Sequence, residues 1–176
     1  GGYRRINGYT KYKVGEVTAT RPSGAADRIL GVFPYGDGVI ACVSDDIYFS
    51  NDGATWLQIN KLSANSGDNY TTFTGKTATN RTGQGQCSFA LFEGPNFDYG
   101  ELNIADGANV IFSFRMEGTG NLNTRTFFTS EVDVAGSGEA VKYVTVHDHH
   151  LIAAGVENNL NTLYYSSKNT FASFPS

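Results

Sequence analysis

The stretch "ILGVFPYGDGVIACVSDDIYFSNDGATW", residues 29–56, holds three short apolar runs separated by two polar reversals. "ILGVF", "VIACV" and "IYF" are too short for stable helices and rich in β-branched and aromatic residues, while "YGDG" and "SDD" have the composition of tight turns. The spacing predicts a β-meander. A second stretch, "VKYVTVHDHHLIAAGVENNLNTLYYSS" at 141–167, runs through the same order of strand, turn, strand, turn, strand. Laying Val32 on Val144 puts Val39-Ile40-Ala41 on Leu151-Ile152-Ala153. Four additional residues in an "ENNLN" loop then bring Tyr48-Phe49-Ser50 onto Tyr164-Tyr165-Ser166. Two copies of one supersecondary unit is the economical reading.

Between the copies, "CSFALFEGPNFDYGELNIADGANVIFSFRM" predicts strands near 87–92, 101–105 and 110–116, joined by "EGPNFDYG" and the Asp-Gly reversal "ADGAN". "NTRTFFTSEV" adds a fourth strand. The polar stretch "LSANSGDNYTTFTGKTATNRTGQGQ" is expected to be a long loop or irregular crossover, and "AGSGEA" a flexible break. Helical periodicity is nowhere sustained. The fold class expected is all-β: a partial β-propeller of about three antiparallel meander blades. The divisions are an N-terminal strand and linker (1–27), a first blade (28–62), a polar loop with a middle blade (63–135) and a last blade (136–176). The chain opens Gly1-Gly2-Tyr3, without methionine, and is expected to be a segment of a longer protein.

Composition narrows the function classes. With 13 basic and 17 acidic side chains the net charge is −4, so no cationic excess exists to neutralise a phosphate backbone. No apolar run approaches the ~20 residues that a membrane helix needs. Cys42 and Cys87 are too few and too far apart for a zinc framework and read as small buried residues. "HDHH" carries every histidine, and on one strand His147 and His149 would share a face fit for a metal. The internal repeat instead sets this segment on the hairpin that is "YGDG" in the first copy, so an exposed polar turn is expected, with no metal and no cofactor. "TGKT" at 74–77 lacks the earlier glycine of a phosphate loop, since Tyr70 stands there. Asn69 and Asn80 begin glycosylation sequons.

Ser50-x-Asp52-Gly53-x-Thr55-Trp56 resembles the Asp-box, or BNR repeat, of sialidases and other β-propellers, one residue shorter than the usual form. The resemblance implies a structural turn in which short oxygen-bearing side chains accept backbone N–H groups, glycine takes a left-handed conformation, and the aromatic plugs the gap between adjacent sheets. It implies no catalytic role, because in that family the box lies away from the active face. Sialidase chemistry would also need paired carboxylates and an arginine cluster. Asp45, Asp46 and Asp52 sit in turn-like contexts, and Arg4, Arg5, Arg21, Arg28, Arg81, Arg115 and Arg125 are scattered.

The opening "GGYRRINGYTKY", the blade unit at 29–56 and "FALFEGPNFDYGELNIADGANVIFSF" together resemble the propeller-bearing tail proteins of short-tailed bacteriophages, the nozzle, tail-hub or stabilisation proteins. The order of elements over residues 3–170 carries the likeness. It implies a non-enzymatic virion component, a homo-oligomeric ring contacting other tail and adaptor proteins, through which DNA passes without specific binding and with no membrane contact. The alternatives are a sialidase-like propeller that binds or cleaves glycans and a surface adhesion propeller.

Overall fold

The computed structural model describes residues 28–53, 55–61, 72–75, 81–94, 97–136 and 138–175. The readings on residues 1–27 and on the sequons at Asn69 and Asn80 lie outside them. The described strands build three sheets. Sheet A is a meander of β1 (Ile29–Tyr35), β2 (Gly38–Val43), β3 (Asp46–Ser50) and the short β4 (Leu57–Gln58). Sheet B contains β5 (Thr72–Gly75), β6 (Ser88–Phe92), β7 (Glu101–Ala105), β8 (Ile111–Glu117) and β9 (Thr126–Val132), in the order β5-β9-β8-β7-β6. Sheet C is β10 (Val141–His147), β11 (His150–Val156) and β12 (Asn159–Tyr165). The architecture is all-β, with antiparallel sheets except for one pair. That exception corrects an expectation: β5 lies inside the polar stretch read as loop and pairs in parallel with β9. Its "TFTG" is too short and polar to raise a periodic signal, and its pairing partner lies more than fifty residues downstream. Among the described residues no helix is long and apolar enough to cross a membrane.

The two copies share a register. Ala41 pairs with Tyr48 in sheet A and Ala153 with Tyr164 in sheet C, and Ile40 with Phe49 corresponds to Ile152 with Tyr165. The first hairpins also correspond, each turning on two residues, Gly36-Asp37 and Asp148-His149. The second hairpin of sheet C departs from expectation. The four added residues do not form a loop; the turn is only Glu157-Asn158, and the extra length goes into longer strands through a bulge near Gly155.

Sheet B lies between the other two. One of its faces, with Leu102, Ile104, Phe112, Phe114, Met116 and Phe127, packs on Ile40, Cys42, Ile47 and Phe49 of sheet A. The opposite face, with Ala90, Ala105, Ile111 and Val132, packs on Val144, Leu151 and Ala153 of sheet C. β1, β6 and β10 come together along one edge. The Cys87 N–H donates to the Leu30 carbonyl at 2.9 Å, and Ser88 Oγ bonds both the N–H and the carbonyl of Val144, each at 3.1 Å. Both cysteines are free thiols, Cys42 buried and Cys87 half-buried.

Tyr35 ties sheet A to sheet B. Its ring is buried against Phe49 and Phe114, its hydroxyl donates to the Gly100 carbonyl at 2.8 Å, and it accepts the Met116 N–H at 3.1 Å. Burial holds the phenol well above its ordinary pKa. Tyr35→Phe keeps the ring but strands two buried backbone groups, so urea melts are expected to show a loss of about 2 kcal/mol. A loss below about 0.5 kcal/mol would mean that water replaces the hydroxyl.

Candidate functional site

The Asp-box-like turn follows from its residue types. Ser50 is buried at the end of β3 opposite Val39, and its Oγ accepts the Gly53 N–H at 2.9 Å. The exposed Asp52 carboxylate accepts the Thr55 N–H at 2.7 Å and the Thr55 hydroxyl at 3.3 Å. Gly53 takes φ +69°, a left-handed conformation costly for other residues. The chain thereby reverses so that Leu57 and Gln58 pair with Phe49 and Tyr48. These are contacts of a loop holding itself together. Asp52→Ala is expected to cost about 1 kcal/mol, as for loss of a cap, while Asp52→Asn keeps one acceptor oxygen and stays within about 0.5 kcal/mol of wild type by chemical denaturation.

Trp56 departs from the expected plug. Its ring is half-buried and packs on Ala41, Val43 and Tyr48, on the side of sheet A facing away from sheet B, so it fills no gap between the described sheets. Its Nε1–H is shielded and has no partner.

Among the described residues, the acidic and basic side chains weighed as catalytic do not converge, and Arg4, Arg5 and Arg21 lie outside them. Asp45 accepts the Gln84 N–H at 3.4 Å, and Asp46 is buried beside Asn60 and Tyr48. Arg81 pairs with Asp106, Arg125 with Asp37, and Arg115 with Glu117. His149 is not on a strand face with His147, as a metal pair would require: it stands in the hairpin turn at φ +62°. His150 directs Nδ1 to the Ser166 carbonyl at 2.6 Å, and Asp148 pairs with Lys168. No cluster among the described residues could hold a metal ion.

A concave feature rich in aromatic side chains lies between sheets B and C. A cleft of about 690 Å³ is lined by Phe92, Glu93, Gly94, Phe97, His149, Asn169, Thr170 and Phe171. Phe92 and Phe171 meet with centroids 6.2 Å apart. Phe97 forms one side of a sandwich: the Arg115 guanidinium sits 4.5 Å from its centroid and 4.1 Å from that of Phe128. Asn169 reaches the cleft because its N–H donates to the His149 carbonyl at 2.9 Å. Residue spacing could not show this cleft, because one wall comes from Phe92, Glu93, Gly94 and Phe97 and the other from His149 and from Asn169 to Phe171, far along the chain. The hint was an excess of phenylalanine in loops "EGPNF" and "NTFASF".

A buried carboxyl borders the cleft. Glu101 pairs across the ladder with Phe92, is almost wholly buried, and accepts the Ser113 hydroxyl at 2.5 Å, with the Arg115 guanidinium 3.8 Å away. Burial raises its pKa above the usual carboxylate range, against the lowering effects of Ser113 and Arg115. For an acid with a raised folded pKa, the cost to the fold is absent below the unfolded pKa and grows as pH rises through the folded one. Glu101→Gln keeps the hydrogen bond and removes the ionisation. It is expected to match or exceed wild-type stability at pH 8 and to lose that advantage at pH 4 in parallel thermal melts. An advantage larger at pH 4 would reverse the assignment.

No family model, curated protein or solved structure matches the chain. The fold and the cleft therefore define it as an all-β protein of three stacked sheets, and its function rests on its own residues.

Proposed function

We propose that the chain is a non-enzymatic structural component of a short-tailed phage tail, a propeller-like building block of a ring or nozzle that extends or closes the DNA exit channel. One observation carries the reading. Sheets A and C are copies in register, yet they turn opposite faces toward sheet B, as units do when stacked in one rotational direction about a shared edge. Propeller blades stack in that manner, and this likeness supports the reading. The Asp-box-like turn supports it, since its oxygens are engaged in holding the loop. The net charge of −4 suits a conduit that must release translocating DNA, because carboxylates repel phosphate. Neighbours in the assembly are further copies and other tail or adaptor proteins. Gold-labelled antibody to this chain is expected to mark the tail of purified particles from the encoding phage, and the purified chain is expected to turn over no aryl glycoside. Unlabelled particles, or turnover abolished by Asp52→Asn in a folded variant, would overturn the proposal.

The aromatic cleft favours one second reading, glycan binding without cleavage. Three phenyl rings with Glu93 and Asn169 at the rim offer apolar faces and polar partners for a sugar ring. Its lining among the described residues carries one carboxylate, Glu93, and Glu101 is shut away. Phe171→Ala abolishing retention on a glycan array would support this reading.

A further inference from the structure

The register shared by sheets A and C identifies which face of sheet C lacks a neighbour among the described residues. Sheet A covers sheet B with Ile40, Cys42, Ile47 and Phe49. The matching residues of sheet C, by the same ladder pairs, are Ile152, Ala154, Leu163 and Tyr165. In sheet C these point away from sheet B, which is covered instead by Val144, Leu151 and Ala153. Leu163 is 68% exposed, Tyr165 60% and Tyr143, beside Ala154 on β10, 54%. The face also carries Thr145, His147 and His150, the last meeting Tyr165 edge-on, and the Lys142 ammonium lies 5.3 Å from the Tyr143 ring centroid; the four matched positions themselves are uncharged, and at the corresponding positions of sheet A the same pattern is core. At the other end of the stack, the outer face of sheet A exposes Val32 (57%) and Ile29 (73%) beside the half-buried Trp56. The face of sheet C that matches this one already packs on a sheet.

Among the described residues the two uncovered faces thus each match a face that packs on sheet B elsewhere in the molecule: the outer face of sheet C matches the inner face of sheet A, and the outer face of sheet A matches the inner face of sheet C. We infer that the outer face of sheet C docks the outer face of sheet A from a second copy of this chain, head to tail, continuing the A-on-B and B-on-C stacking. Such a contact is heterologous, so each copy offers one donor face and one acceptor face, and successive copies form a ring or an open series. Burial of aliphatic and aromatic side chains now in water drives it, and none of Ile152, Ala154, Leu163 and Tyr165 carries a charge that docking would have to desolvate. This deepens the ring in the proposed function, and rests on the stacked-sheet part of that reading rather than on the tail assignment.

The test uses the full chain and two single variants. Leu163→Lys spoils the sheet C face and Val32→Lys the sheet A face. Both residues are solvent-facing, and unchanged far-UV circular dichroism would show that the fold is kept. In sedimentation velocity at about 100 μM, the wild type is expected to associate and each variant alone to run as a monomer. An equimolar mixture is expected to give a dimer and nothing larger, because one intact face survives on each partner. A monomeric wild type would overturn the inference, as would association that survives both substitutions or a mixture that stays monomeric. Association through other surfaces would sink this pairing and leave the ring reading standing, whereas glycoside turnover would sink the structural function and leave the pairing untouched.

Discussion

Asp106→Ala is expected to lower the free energy of unfolding by about 4 kcal/mol, the largest single effect among the polar residues, because it removes one partner of a fully buried ion pair. Asp106 and Arg81 are both buried, with Oδ2 to Nη2 at 2.6 Å and Oδ2 to Nε at 3.1 Å. The same carboxylate accepts the N–H groups of Ala108 and Asn109, each at 2.9 Å, and so shapes the β7–β8 turn. That turn in turn holds sheet C: the Gly107 N–H donates to the Val141 carbonyl at 2.8 Å, and the Val141 N–H to the Asn109 carbonyl at 3.1 Å. Removing the carboxylate would leave two backbone donors without acceptors and a buried cation with only the Val110 carbonyl, 3.2 Å from Nη2, to meet it. Arg81 alone changed to Met should cost less than Asp106→Ala, since the carboxylate keeps its turn contacts. The double variant should recover part of the loss, because no unpaired guanidinium remains. Urea unfolding of the three variants measures this, and a cost below about 1 kcal/mol for Asp106→Ala would show that water takes over the pair.

The strands were legible in the sequence wherever an apolar run stood between turn residues. In the middle sheet the strand expected at 101–105 coincides with β7, β6 begins one residue after the expected 87–92, and β8 is displaced by one residue from the expected 110–116. The duplicate was legible because its register depends on local alternation, and a shift by one residue would have turned Ile40 and Ile152 to the wrong face. What local pattern cannot carry is the partner of each face. Nothing near Trp56 states that its ring lies against Ala41 and Tyr48 on the outer side of sheet A, since that depends on the order of sheets. The aromatic cleft escaped for the same reason: Phe92 and Phe171 lie 79 positions apart and meet only when sheet C closes on sheet B. The pairing of Arg81 with Asp106 spans 25 residues and joins a loop to a turn, where neither period 2 nor period 3.6 constrains position.

Asp37→Ala is expected to cost about 3 kcal/mol at pH 7, although Asp37 itself stands in an exposed hairpin turn. The reason is its partner. Arg125 enters β9 with its side chain fully buried, and its guanidinium is met by both oxygens of Asp37, Nη1 at 2.7 Å and Nη2 at 2.5 Å, and by the Gly120 carbonyl at 2.7 Å. Fork-to-fork pairing of this kind fixes the first turn of sheet A against the start of β9 in sheet B. The carboxylate side is 46% exposed, which puts the expected loss at the lower end for a broken buried pair and makes part of it sensitive to salt. Arg125 holds the Asp37 carboxyl below its ordinary value near 3.8. With a depressed folded pKa, the pair's stabilisation is fully present above the unfolded pKa and is lost as pH falls through the folded one. The gap between wild type and Asp37→Asn should therefore be constant from pH 8 down to about 5 and close progressively below about 4. Denaturant melts across that range measure it, and a gap that widened on acidification would show that Arg125 is held by its neighbours in sheet B and owes nothing to the hairpin of sheet A.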